Sequence, residues 1–277
     1  MKLISSIAIC LALGASAVDA QGSSFTDVGV GNFAATDIPI DDATLPMAIV
    51  AGDDVAKGTK TYTTGLRITA DGQNFCGGSL ITPTHVLTAS HCTRGGIRWV
   101  SIGSHYVNGT QDGEQIRVVA IMNHRNFSNT LFTNDFAVLE LEKPSSFKPV
   151  KLAAPDDSDI KAGDWASVLG WGLTSENGTQ PYELKRAKLQ LQSDEECSKK
   201  LPRFDNNMIC AAGKSGASSC RGDSGGPLVK ELPNGEDVQI GIVSWGIRCG
   251  VTGIPPVFAR VSRARTWIDS TSSNTCF

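Results

Sequence analysis

From residue 49 onward, short runs rich in β-branched, aromatic and leucine side chains recur between clusters of Gly, Pro, Asn and Asp. Strands are expected at Thr61–Thr69, Phe75–Thr82, Gln115–Met122, Phe136–Leu141, Trp165–Gly170, Leu184–Gln192 and Val238–Trp245. Many short strands at this spacing indicate an all-β sandwich or barrel rather than alternating α/β layers. One helix is expected, at Val261–Ser270, where Val261, Trp267 and Ile268 stand among polar residues, and its expected place is the outside of the second half. The stretch Lys151–Gly163, with Pro155 and three aspartates, reads as a surface connection between halves of similar size. Two comparable β units, about 49–155 and 161–260, are therefore expected without a strict sequence repeat.

The first 48 residues break this pattern. Lys2 is followed by an apolar run from Leu3 to Leu13 and then by Ala15, Ser16, Ala17 and Ala20. That is the layout of a secretory signal, residues 1–20, with cleavage after Ala20 or alternatively after Ala17. The run is too short for a membrane anchor, and no second run is long enough to span a bilayer. Gln21–Ala48 is polar and small and reads as a pro-segment or arm. Secretion implies an oxidising compartment, so the cysteines should pair. Eight are present; Cys10 leaves with the signal, and the odd remainder leaves one thiol unpaired or shared with another chain. Sequons at Asn108, Asn126 and Asn177 offer glycan sites.

Composition narrows the function. A length of 277 residues allows a sizeable core, and a net charge of -3 argues against a nucleic-acid partner. There is no HExxH or CxxC, so no structural or catalytic zinc is expected, and no cofactor is called for. The chemically provocative stretch is Ser218–Leu228, SSCRGDSGGPL. It contains the adhesive tetrapeptide RGDS, but it also sets Ser224 among glycines, where backbone N–H groups could approach a substrate. A serine nucleophile needs a base, and the base needs a partner to hold its tautomer. His91, in Thr88-Ala89-Ser90-His91-Cys92, is the histidine with the most suitable surroundings, although a structural role is the commoner one for such a residue. Asp135 precedes the apolar run Phe136–Leu141, so its carboxylate should enter the core at the start of a strand. Capping that strand would be the ordinary use of an aspartate there.

TASHC around His91, NDFAVLEL around Asp135 and RGDSGGPL around Ser224 together resemble the trypsin/chymotrypsin family of serine proteases. The likeness covers nearly all of Ile49–Ser270, with FCGGSL at Phe75–Leu80, Gly170-Trp171-Gly172 and Ser244-Trp245-Gly246 as further matches. The resemblance implies two six-stranded antiparallel β-barrels and a C-terminal helix over 261–270. It implies His91, Asp135 and Ser224 as catalytic residues, and the N–H groups of Gly222 and Ser224 as the oxyanion hole. Asp223 would turn inward on a loop held by a disulfide, which makes the RGDS overlap accidental. The expected activity is secreted endopeptidase, acting through an acyl-enzyme on protein or peptide substrates, in a monomer. The alternative is a protease-like binder that blocks another enzyme, as secreted glucanase inhibitor proteins of plant-pathogenic microbes do to host enzymes. The presence of all three catalytic residues favours the enzyme.

Further expectations come from the same resemblance. The specificity pocket would have Ser218 as its floor, Ser244, Trp245 and Gly246 along one side and Pro256 in its wall. An uncharged floor implies apolar P1 residues, with smaller side chains as the fallback, although Arg221 at the rim would favour acidic neighbours. The implied disulfides are Cys76–Cys92, Cys197–Cys210 and Cys220–Cys249, leaving Cys276 over. Gly103 to Glu114 resembles the family's calcium loop, but Ser104 stands where an acidic ligand would, leaving Glu114, so no bound metal is expected. Ile49-Val50-Ala51-Gly52 resembles the start of a mature enzyme, whose new ammonium would pair with Asp223. No basic residue lies between Lys2 and Lys57, so cleavage after Ala48 would need an enzyme that accepts small or apolar residues.

Overall fold

The structure, a computed structural model, describes residues 52–273. The expected signal, pro-segment, Ile49 and Cys276 lie outside these residues. Six strands close the first barrel: β2 (Thr63–Arg67), β3 (Cys76–Thr82), β4 (His85–Thr88), β5 (Trp99–Ile102), β6 (Glu114–Asn123) and β7 (Ala137–Leu141). Their order around the barrel is β2-β3-β4-β7-β6-β5, all neighbours antiparallel. The second barrel is built from β9 (Trp165–Gly170), β10 (Lys185–Leu191), β11 (Met208–Gly213), β12 (Pro227–Glu231), β13 (Asp237–Trp245) and β14 (Val257–Arg260). Its order is β9-β10-β11-β14-β13-β12, closed by the pairing of β12 with β9. Two short strands lie outside this count. β1 (Asp53–Asp54) pairs with β10, and β8 (Lys151–Leu152) runs parallel to β13, so the expected surface connection begins inside a sheet.

Period-two patterning shows in β6 and β10, whereas β2, β7, β9 and β13 are buried almost throughout. In β10, Ala187, Leu189 and Leu191 face the core while Lys188 and Gln190 are exposed. β4 and β14 carry no alternation because every residue in them is buried, and four such residues look like any apolar fragment. Closure also requires local irregularities. One falls in the β13–β14 pairing between Val243 and Trp245 and sets Ser244 out of register, which has a use at the site below.

Two helices are present among the described residues, where one was expected. α1 (Asp194–Lys200) is too short for a convincing apolar stripe and buries only Cys197. It did have a sequence signal in Ser193-x-x-Glu196. The Ser193 hydroxyl accepts the N–H of Glu196, and the Glu196 carboxylate accepts the N–H of Ser193. Ser193→Ala should lower stability by about 1 kcal/mol, read as a shift in the urea midpoint. α2 (Val261–Ser273) buries Val261, Ala264 and Ile268 on one face. It packs on β8 and β13 but also on β7 of the first barrel, and the Trp267 ring meets His124 edge-on at 4.8 Å. It therefore bridges both barrels instead of lining only the second. Arg265 adds to this by donating to the carbonyls of Leu152 and Ala153.

Candidate active site

His91 sits in a short 3₁₀ turn, Ser90–Gly95, directly after β4, and the Cys76–Cys92 disulfide ties that turn to β3. Asp135 immediately precedes Phe136 and β7, which pairs with β4, so the barrel register brings the two residues together. The Asp135 carboxylate is fully buried and accepts three hydrogen bonds. They come from the His91 N–H at 2.9 Å, from His91 Nδ1 at 2.7 Å and from the Ser244 hydroxyl at 2.6 Å. Three donors offset the desolvation of a buried carboxylate. With Nδ1–H donating to Asp135, the lone pair of the neutral ring lies on Nε2, where a base must carry it. Phe132 closes one side of the imidazole, edge-on at 5.7 Å. Its φ of 58° is rare for a bulky residue and is held by the bond from its N–H to the Ser128 carbonyl at 2.7 Å.

Ser224 arrives from the second barrel on a loop clamped from several directions. The Ser224 carbonyl accepts the Gly77 N–H at 2.7 Å, and the Gly225 N–H donates to Val243 at 2.8 Å. Gly77 must be a glycine, since a Cβ there would lie 2.8 Å from Gly226 Cα, so β3 presses its bare backbone on the loop. The Cys220–Cys249 disulfide fastens the other end. Among the described residues, no hydrogen bond joins Ser224 Oγ to His91 Nε2, and the N–H groups of Gly222 and Ser224 donate to none of them. The site thus holds a serine hydroxyl, an oriented imidazole and two uncommitted N–H groups.

Asp223 points away from the cleft into full burial, accepting the N–H groups of Gly172 at 2.7 Å and Cys220 at 2.8 Å. Burial pushes its pKa up to about 6, against the pull of those two bonds. Gly170 and Gly172 leave the space this carboxylate fills, because a Cβ on either would collide with its oxygens.

A cavity of about 160 Å³ opens beside Ser224, walled by Ser219, Cys220, Val243, Ser244, Trp245, Gly246 and Pro256. Ser218, expected as the pocket floor, is buried, with its hydroxyl donating to the Ser219 carbonyl at 2.7 Å. Three charged residues stand among the lining: Glu176, Arg221 and Arg248. A larger recess, about 530 Å³, lies against Trp165, Arg186 and Lys214 on the second barrel and includes none of the residues around Ser224.

The sequence pattern of the family described as Trypsin matches residues 49–268. The chain belongs to the trypsin family. Glucanase inhibitor protein 3 of Phytophthora infestans is 55% identical over 229 residues, 81% of this chain and 88% of that one. Glucanase inhibitor protein 2 of the same organism is 50% identical over 238 residues, covering 84% and 92%. A Trypsin of Saccharopolyspora erythraea is 36% identical over 219 residues, covering 77% and 93%.

Within this trypsin-family chain the two barrels bring His91, Asp135, Ser224 and Ser244 to one cleft, with Gly222 beside the serine and Gly246 and Pro256 in the pocket. Ser244, expected on the substrate side, also serves Asp135. Disulfides join Cys76–Cys92, Cys197–Cys210 and Cys220–Cys249. Asn108, Asn126 and Asn177 are exposed. The segment resembling a calcium loop spends its carboxylates internally. Glu114 accepts from the Ser146 N–H and hydroxyl, and Asp112 from the Ser104 hydroxyl and the His105 N–H. The sulfurs nearest His91 are in a disulfide and offer no thiolate to a metal. Sequence reasoning missed Glu176 altogether. It lies in a Ser/Asn/Gly turn whose one motif, the Asn177 sequon, says nothing of Glu176, and it acquires its place only when three loops converge.

Proposed function

We propose that this chain is a secreted trypsin-family protein that binds and inhibits a glucanase, presenting the cleft-bearing face of a protease fold to its partner. The observation that carries this reading is the relatives named glucanase inhibitor proteins, 50–55% identical along more than 80% of the chain, against 36% for the Trypsin. Identity of that extent covers both barrels and the loops between them, not the core strands alone. Residues 1–20 would be removed on secretion, which suits a fold with three disulfides. Residues 21–48 would be a pro-segment released by cleavage after Ala48, freeing the Ile49 ammonium to pair with Asp223.

A second reading, peptide-bond hydrolysis, is favoured by the bonded Asp135–His91–Ser244 group beside Ser224. In it the Ser224 hydroxyl attacks the scissile carbonyl while His91 Nε2 takes its proton. The negative charge on the former carbonyl oxygen is met by the N–H groups of Gly222 and Ser224. His91 then protonates the leaving amine, and water releases the acyl group by the reverse sequence.

One experiment separates the two. The secreted protein and its Ser224→Ala variant are incubated with a panel of plant glucanases, and sugar release is followed alongside casein turnover. At least one glucanase should be inhibited about equally by both proteins, with a complex visible on gel filtration. Inhibition lost in Ser224→Ala, with casein cleaved by the wild type, would establish hydrolysis instead. No inhibition and no complex with any glucanase would overturn the binding reading.

A further inference from the structure

Apart from Glu176, Arg221 and Arg248, the residues lining the pocket beside Ser224 carry no charge, so these three set its electrostatics. Glu176 lies on a tight turn, where the Thr174 N–H donates to Thr179 at 3.2 Å and the Gly178 N–H to Ser175 at 3.1 Å. Its carboxylate reaches over the cavity. Oε2 accepts the Cys249 N–H at 2.7 Å and Oε1 accepts the Arg221 guanidinium at 2.9 Å, while the same guanidinium donates to the Glu176 carbonyl at 3.2 Å. One carboxylate therefore adds to the links among three loops that also meet through the Cys220–Cys249 disulfide and the bond from the Leu173 N–H to the Arg221 carbonyl. These bonds hold the Glu176 carboxyl below the usual glutamate range, with the Cys249 N–H the largest contributor.

The charges do not balance. Arg248 lines the same cavity, is exposed, and has no carboxylate within ion-pair distance among the described residues. Two guanidiniums thus face one carboxylate. The pair that is formed is also replaceable, because the Arg221 side chain is 66% exposed and exposed ion pairs contribute little.

We propose that Glu176 is a built-in stand-in for the pocket's ligand, and that this ligand is a carboxylate-bearing side chain, aspartate or glutamate, on the segment that docks in the cleft. An entering carboxylate can take over the Cys249 N–H and the Arg221 guanidinium as Glu176 swings out, and it gains Arg248 as a further cation. A lysine or arginine would face two guanidiniums instead. An apolar side chain would leave the vacated donors without an acceptor, and a neutral amide would offer them one without the charge. Electrostatic matching of this kind selects partners more than it adds affinity. The inference rests on the cleft being the working face, which both readings above share, and its test involves no glucanase, so it can fail or stand independently of either.

The test is peptide binding in the Ser224→Ala background, which excludes turnover. Acetylated tetrapeptide amides ending in Asp, Asn, Lys or Phe are titrated against that protein and against its Glu176→Ala and Glu176→Ala/Arg221→Ala forms by isothermal calorimetry. Removing Glu176 should tighten binding of the Asp peptide about tenfold or more and leave the Lys and Phe peptides within about twofold. Removing Arg221 as well should remove most of the gain, leaving what the Cys249 N–H and Arg248 supply. An equal gain for Asn, Phe and Asp would make Glu176 a steric cover and overturn the assignment. So would the absence of any gain for the Asp peptide.

Discussion

Between pH 4 and pH 7 the Asp223→Asn variant of the uncleaved chain should gain about 3 kcal/mol of stability relative to the wild type. Burial raises the Asp223 carboxyl from the ordinary 3.8 to about 6. Inside that window the folded chain holds a proton that the unfolded chain has released. The unfolded state therefore binds fewer protons, and stability falls as pH rises from about 4 to about 6. A shift of about two units, at about 1.4 kcal/mol each, gives the stated magnitude. Asparagine does not titrate, so the difference between the two urea-unfolding profiles isolates this group. That subtraction matters because Glu114, Glu176, Glu231 and Glu236 all have lowered values and act in the opposite sense. A difference that stays constant with pH would mean that the carboxylate already has a cation beside it. On the proposed maturation, cleavage before Ile49 brings such a cation, and the difference should then reverse sign in the cleaved form. A buried charge stripped of its partner is strongly destabilising, so the same aspartate would weaken the precursor and strengthen the product.

Gly172→Ala is expected to cost about 3–5 kcal/mol and to abolish partner binding and labelling by fluorophosphonate together. The added methyl would lie against all three atoms of the Asp223 carboxylate group, with Oδ1 at 2.7 Å. The fully buried carboxylate cannot swing aside without surrendering the N–H groups of Gly172 and Cys220. Leaving those groups unmatched costs about 1–3 kcal/mol, and overpacking adds about as much. Because Asp223 adjoins Ser224 and Gly222, its displacement reaches the cleft directly. A urea midpoint within about 0.5 kcal/mol of the wild type would show that the carboxylate has another place to go.

The sequence by itself determined the fold class and much of the site. Short β-rich runs between Gly, Pro, Asn and Asp clusters located seven of the barrel strands, with Trp165–Gly170 matching to the residue. The three local motifs around His91, Asp135 and Ser224 were readable because each packs its chemistry into a few consecutive residues. Patterns of this kind are local: they report which way a side chain faces and what its neighbours are. Short strands buried on both faces, such as β4 and β14, carry no such pattern, so only closure of the barrels revealed them. Tertiary structure also decided that Ser244 bonds to Asp135 from 109 positions away. It decided too that α2 leans on both barrels. Glu176 is the clearest case. Its partners Arg221 and Cys249 lie 45 and 73 residues along the chain, and no spacing rule connects them. Such a meeting depends on where two barrels place three loops in space, and that is settled by packing of the whole chain rather than by any segment of it.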